Sequence, residues 1–176
     1  MTDHGALPAT ILKNTYSVTD LYTRLDMLQR FFEHYFFESG EPKGERGKLF
    51  SEFYKDADAD VRFHVDAVAV WDGTAFESFT EQNLHARMQE LKQAIAAVPM
   101  LTLYVPAHFT SAQIEPIGIW CRAYVQSNVL LDLHVDPDVV GGCAFVHNNA
   151  YHDISFSYFV EKERAALMQL VQKYVE

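Results

Sequence analysis

A chain of 176 residues has room for one domain or two small ones. Its hydrophobic fraction of 49% and aromatic fraction of 14% exclude a disordered tail and suit a packed core. The formal charge of −10, with acidic excess in both halves, argues against nucleic-acid binding, because phosphates would be repelled.

Residues 1–15 read as an arm without regular structure, and they lack the basic segment and long apolar core of a secretory leader. Ser17 and Asp20 offer a capping box. Leu21, Leu25, Leu28, Phe32 and Tyr35 then recur at helical spacing, which predicts a helix to about Glu38. Gly40-Glu41-Pro42-Lys43-Gly44 stops it, and Leu49, Phe50, Phe53 and Tyr54 mark a shorter helix. Residues 58–79 fit either period: Val61, Phe63 and Val65 alternate as in a strand, while Val61, Val65, Val68 and Trp71 repeat as in a helix. Asp72-Gly73 is a turn signal. Thr80 is placed to cap a helix carrying Leu84, Met88, Leu91, Ile95 and Val98, which Pro99 ends. No run approaches the eighteen apolar residues of a membrane span.

Beyond Pro99 the pattern changes. Leu101 to Val105 reads as a strand, and Thr110 or Ser111 starts a helix to about Tyr124. Val129, Leu131, Leu133 and Val135 alternate with Asp132 and His134 as a half-buried strand. Asp136 and Pro137 turn the chain, and Gly141-Gly142 opens another strand, where adjacent glycines mean a sharp bend or a close backbone approach. Asn148-Asn149 suits a hairpin turn. A further strand reaches Asp153 and Ser155, and a last helix carries Leu167, Leu170, Val171 and Tyr174. The expected architecture is α+β: a helical bundle over residues 1–100, then a small α/β domain with a short sheet over 101–176.

The ordered set Val135-Asp136-Pro137-Asp138-Val139-Val140-Gly141-Gly142, then Asp153-Ile154-Ser155, with Ser111-Ala112-Gln113-Ile114 upstream, resembles the C-terminal domain of the delta subunit of F-type ATP synthases. The mitochondrial counterpart of that subunit is the oligomycin-sensitivity-conferring protein. The resemblance covers about residues 102–176, with no comparable match in residues 1–100. The family usually has Gly where Ile154 stands, and basic residues where this chain has Phe156-Ser157-Tyr158-Phe159. The resemblance implies a non-catalytic stator subunit of the peripheral stalk, without a cofactor, cytoplasmic and peripheral to a membrane complex. It implies alpha subunits as partners of the helical domain and b subunits as partners of the C-terminal domain, with no insertion into the bilayer. Asp136, Pro137, Gly141, Gly142, Asp153 and Ser155 are then structural turn residues.

Partner-binding candidates come from apolar faces wider than a single core stripe needs. They are Phe31, Phe32, Tyr35 and Phe36 on the long helix, and Leu84, Met88 and Leu91 on the later one; the alternative for the latter is a core face. Other chemistry has weaker support. His134, His147 and His152, the last beside Asp153, lie in neighbouring strands, but their spacing matches no zinc motif. His64 and Asp66 would share a face on a strand and part on a helix, and no nucleophile has a G-x-S-x-G setting. Gly141-Gly142 precedes a strand, not the helix that a phosphate loop requires. Cys121 and Cys143 form no C-x-x-C motif and read as reduced packing residues. Two other functions stand beside the stator: a divergent adaptor or regulatory binding module, which the unmatched first half suggests, and a small metal protein or enzyme using His64, His134, His147 or His152.

Overall fold

The structure, a computed structural model, describes residues 6–37, 44–71, 73–147 and 150–175. Its fold is α+β. Two compact units divide the chain: Met1–Pro99 with Ser111–Leu130, and Met100–Thr110 with Leu131–Glu176. The Gly40–Lys43 breaker, Asp72 and the Asn148-Asn149 turn lie outside the described residues.

In the first unit, α1 (Ala6–Leu12) leads by a short link into α2 (Val18–Phe37). The helix α1 occupies part of the segment expected to be an arm without structure. Leu7, Ile11 and Leu12 are buried on one side of it, and seven residues were too few for a periodic signal. Ser17 caps α2 by accepting from the Asp20 amide (3.0 Å). The α2 stripe of Leu21, Leu25, Leu28, Phe32 and Tyr35 is buried, joined by Met27 and Phe31. Around it pack α3 (Arg46–Phe53), α4 (Ala59–Ala69), α5 (Gly73–Glu77) and α6 (Leu84–Ala96). Phe32 meets Phe79 at 4.7 Å between ring centres, and Phe31 meets Phe50 edge-on at 5.4 Å. Such pairs add about 0.5–1.5 kcal/mol each beyond burial.

The ambiguous segment 58–79 is helical. Asp58 decides its start by accepting from the Asp60 and Val61 amides, and Val65 and Val68 turn into the core. Asn83, not Thr80, is the residue before α6; the Thr80 amide donates to Asn83 Oδ1 (2.8 Å). The last helix of this unit is α7 (Ser111–Tyr124), which buries Ile114, Gly118 and Cys121. By its contacts α7 groups with the helical unit, whereas the sequence reading placed it with the sheet.

The sheet has the order β2-β1-β3-β4, from β1 (Met100–Val105), β2 (Leu130–Val135), β3 (Ala144–His147) and β4 (Ala150–Asp153). The Leu130 amide donates to the Pro99 carbonyl and the Asp136 amide to the Val105 carbonyl, a constant offset that makes β2 and β1 parallel. The β1–β3 and β3–β4 pairs are antiparallel, with Thr102 opposite Val146 and Phe145 opposite His152. Two helices follow, α8 (Phe156–Lys162) and α9 (Arg164–Val175).

Candidate functional site

The six turn residues gather at one place in the second unit. After β2, Asp136-Pro137-Asp138-Val139 makes a hydrogen-bonded turn: the Val139 amide donates to the Asp136 carbonyl (3.2 Å) and the Asp138 amide to Asp136 Oδ1 (3.0 Å). Pro137 occupies the position that its fixed φ prefers. Gly141 and Gly142 both hold left-handed backbone, with φ of 65° and 76°. A Cβ on Gly142 would lie 2.5 Å from the Ile154 carbonyl oxygen and 3.2 Å from Ser155 Cα. Close approach and positive φ therefore both require glycine there. The opposing segment closes onto this loop. The Ile154 amide donates to the Cys143 carbonyl (3.0 Å), and the Phe156 amide is shared between the Val140 and Gly141 carbonyls (3.0 and 2.9 Å). Asp153 Oδ1 accepts from the Ser155 amide (2.8 Å), while buried Ser155 caps α8 by accepting from the Tyr158 amide (3.2 Å). These residues make a fastened corner between two strands and a helix.

The partner-binding candidates are placed differently from the expectation. Phe31, Phe32, Tyr35, Leu84, Met88 and Leu91 are all buried and belong to the core of the helical unit, and Phe36 is half-buried, stacked on Phe32 at 5.5 Å. The reason is enclosure: α3, α5 and α6 cover faces of α2 that the sequence reading left open. The exposed aromatics of α2 are Tyr22 near its start, 50% exposed, and Phe37 at its end, 56% exposed. The helical unit also holds a groove of about 470 Å³ lined by Tyr35, Arg46, Gly47, Trp71 and Phe76 among others. Arg46 donates to the Phe76 and Phe79 carbonyls (both 2.8 Å) and lies over the Tyr35 and Phe36 rings.

A buried polar cluster in the helical unit escaped the sequence reading. Arg24, 2% exposed, donates through Nη1 to the Asn14 carbonyl (2.6 Å) and to Thr15 Oγ1 (2.8 Å), and through Nε to His64 Nδ1 (3.5 Å). Asp20 Oδ1 accepts from Ser111 Oγ (2.6 Å) and lies 4.0 Å from His64 Nε2. Burial lowers the pKa of His64 below the ordinary histidine value, with Asp20 opposing and Arg24 reinforcing that shift. Nearby, Arg122 donates to the Leu12, Thr15 and Val129 carbonyls and lies over the Tyr16 ring at 4.6 Å. The signal for both arginines was position. Arg24 is three residues after Leu21 and four before Leu28, and Arg122 continues the Ile114–Gly118 face.

Ser, His and Asp meet here, but not as a hydrolase would arrange them. The serine hydroxyl donates to the carboxylate instead of the imidazole, and Asp20 and His64 are 5% and 6% exposed, with no place for a substrate. Asp66 is exposed on the far side of α4, so the His64-Asp66 pair does not form. His134 pairs with Asp132 (2.9 Å) beside Tyr104, while His152 stacks on Phe145, the neighbour of Tyr104's register partner and therefore on the opposite face. Among the described residues, no group of three or more His, Cys, Asp or Glu could hold a metal ion. Cys121 and Cys143 are free thiols; burial raises the pKa of Cys143 and the Asp153 charge adds to the rise.

The conspicuous property of the second unit is exposed apolar area. Phe156 is 64% and Tyr174 86% exposed, and Tyr151, Val140, Phe159, Met168 and Val171 are exposed as well. No described side chain of α8 or α9 is buried. No described helix is long and apolar enough to cross a membrane. No protein-family model matches the chain, and no curated protein matches it.

Proposed function

We propose that this protein is a non-catalytic stator subunit of a proton-translocating ATP synthase, linking the catalytic head to the membrane sector through the peripheral stalk. The observation that carries the proposal is the fastened corner: of the residues of the delta-subunit resemblance, Asp136 and Pro137 form a turn, and Gly141 and Gly142, in left-handed backbone, close onto the Asp153–Ser155 segment through hydrogen bonds and a close approach. Two parts of the motif that close onto each other, the glycine pair and the Asp153–Ser155 segment, are a better support than a string of common residues. The exposed apolar side chains of α8 and α9 add to it, since patches of this kind on a small protein mark interaction surfaces. The partners are the alpha and b subunits, and the protein is peripheral to the membrane through them, without a cofactor.

The tagged full-length chain, expressed in its own cell, should recover alpha and b subunits in fixed proportion. Recovery of neither, with a different set of proteins held in fixed proportion, would pass the assignment to the second reading, an adaptor in another assembly. One observation favours that reading: the aromatics expected to dock an alpha-subunit helix are core residues. The third reading, a His-dependent metal protein or enzyme, would require stoichiometric metal in the purified protein.

A further inference from the structure

We propose that His64 is a pH-sensitive release for the clasp by which α2 and α4 hold the α1–α2 link and the start of α7. Within the helical unit, the link before α2 and the start of α7 depend on two charged side chains of α2. Arg24 holds the link through the Asn14 carbonyl and the Thr15 hydroxyl. Asp20 holds the start of α7 through the Ser111 hydroxyl. His64, from α4, stands between the two charges, 3.5 Å from Arg24 Nε and 4.0 Å from Asp20 Oδ1.

The two neighbours of the His64 ring favour one tautomer. Arg24 can only donate, so His64 Nδ1 must accept, and the ring's one proton is on Nε2, toward Asp20. A second proton would go to Nδ1, the atom now accepting from Arg24. That proton would place donor against donor and cation against cation in a site almost without solvent. Arg24 would have to withdraw from His64, and the imidazolium would compete with Ser111 for Asp20. Both holds weaken together.

The remaining charges around the cluster do not cancel this. Desolvation, the largest influence, and Arg24 oppose the proton on His64, and together they outweigh Asp20 and Asp60, one turn earlier on α4, which favour it. Burial lowers the pKa of Arg24, and Asp20, Glu115 of α7 and Tyr16 of the link oppose that shift; because a guanidinium starts far above an imidazole, Arg24 remains charged and the imidazole yields. The sign follows. The native state binds its His64 proton at lower pH than the unfolded chain does. Hold is therefore complete above the ordinary pKa of about 6.5 and is lost as pH falls below it. The device does not depend on which partner the protein serves.

Amide hydrogen exchange of the full chain, corrected for intrinsic exchange and taken from about pH 7.5 to about 5.5, tests it. Opening of residues 14–17 and 111–122 should increase below about pH 6.5, by at most about tenfold per pH unit for one proton. It should stay level in His64→Gln, whose amide accepts from Arg24 without titrating. The same rise in both proteins would overturn the proposal, as would its absence in the native chain. Should His64→Gln not fold, imidazole resonances of the native chain decide. Titration of His64 at or above the ordinary histidine value overturns the proposal. So does a His64 titration that the Thr15, Ser111 and Glu115 amides do not follow.

Discussion

Gly142 and Gly118 show two ways in which a missing side chain shapes this protein. At Gly142 both the φ of 76° and the Ile154 carbonyl forbid a Cβ. Gly142→Val should therefore lower stability by about 1–3 kcal/mol in a denaturant melt. Gly118 is ordinary helical backbone, but its Cβ position is occupied by Tyr16, so Gly118→Ala should also destabilise. Gly73→Ala, with nothing within 4 Å, is the control and should shift the midpoint little. Arg122→Met removes the donor to the Leu12 and Thr15 carbonyls and should cost about 1–3 kcal/mol. Tyr54 supplies an alkaline counterpart to His64. Its hydroxyl donates to the Met27 carbonyl (2.9 Å), and burial pushes its pKa up to about 12. Its contribution is whole below the ordinary value of 10 and is lost as pH rises toward 12, a loss that Tyr54→Phe should not show. At this scale the glycine pair was legible, because adjacent glycines in an apolar run have few other uses. The two arginines were not, because a charge is expected to face water until the groups able to pair with it are known.

Among the elements, α2 was legible nearly to its ends, since five apolar residues at helical spacing leave no strand reading. Residues 58–79 were not, because valines and aromatics satisfy both periods; the choice fell to the Asp58 cap and to packing on α2. The strand β1 followed its alternation, whereas β2 did not, since Leu130 and Leu131 are both buried and Val135 is exposed; α7 defeated the reading of its surroundings. Its sequence specifies a helix but not a neighbour, and the Tyr16–Gly118 contact and the Arg122 hydrogen bonds that settle the matter link residues more than a hundred positions apart. The last helix combines correct element and unexpected environment. Leu167, Leu170, Val171 and Tyr174 form the expected stripe, yet all are exposed. Val171→Asp should leave the melting midpoint within about 0.5 kcal/mol of the native value. In a pull-down it should reduce recovery of the partner if α9 is bound there. Wild-type recovery by this variant would remove α9 from the interface.

For the molecule as a whole, the α+β class and a change near residue 100 were legible from the shift of period at Pro99. The return of the chain was not, because nothing local in a strand–helix–strand sequence says which unit the helix serves. The chain passes between units three times, after Pro99, after Thr110 and after Leu130. A truncated chain ending at Pro99 would lack α7 and leave the Leu12 and Thr15 carbonyls without Arg122. It should melt below the full-length protein when followed by circular dichroism. The hold of α7 on the Leu12–Tyr16 segment also has a mechanical meaning within the helical unit. It is made of directional hydrogen bonds and a ring set against a bare backbone. Such a hold resists small displacements stiffly and yields abruptly when those bonds rupture, where a flexible link would stretch gradually as an entropic spring.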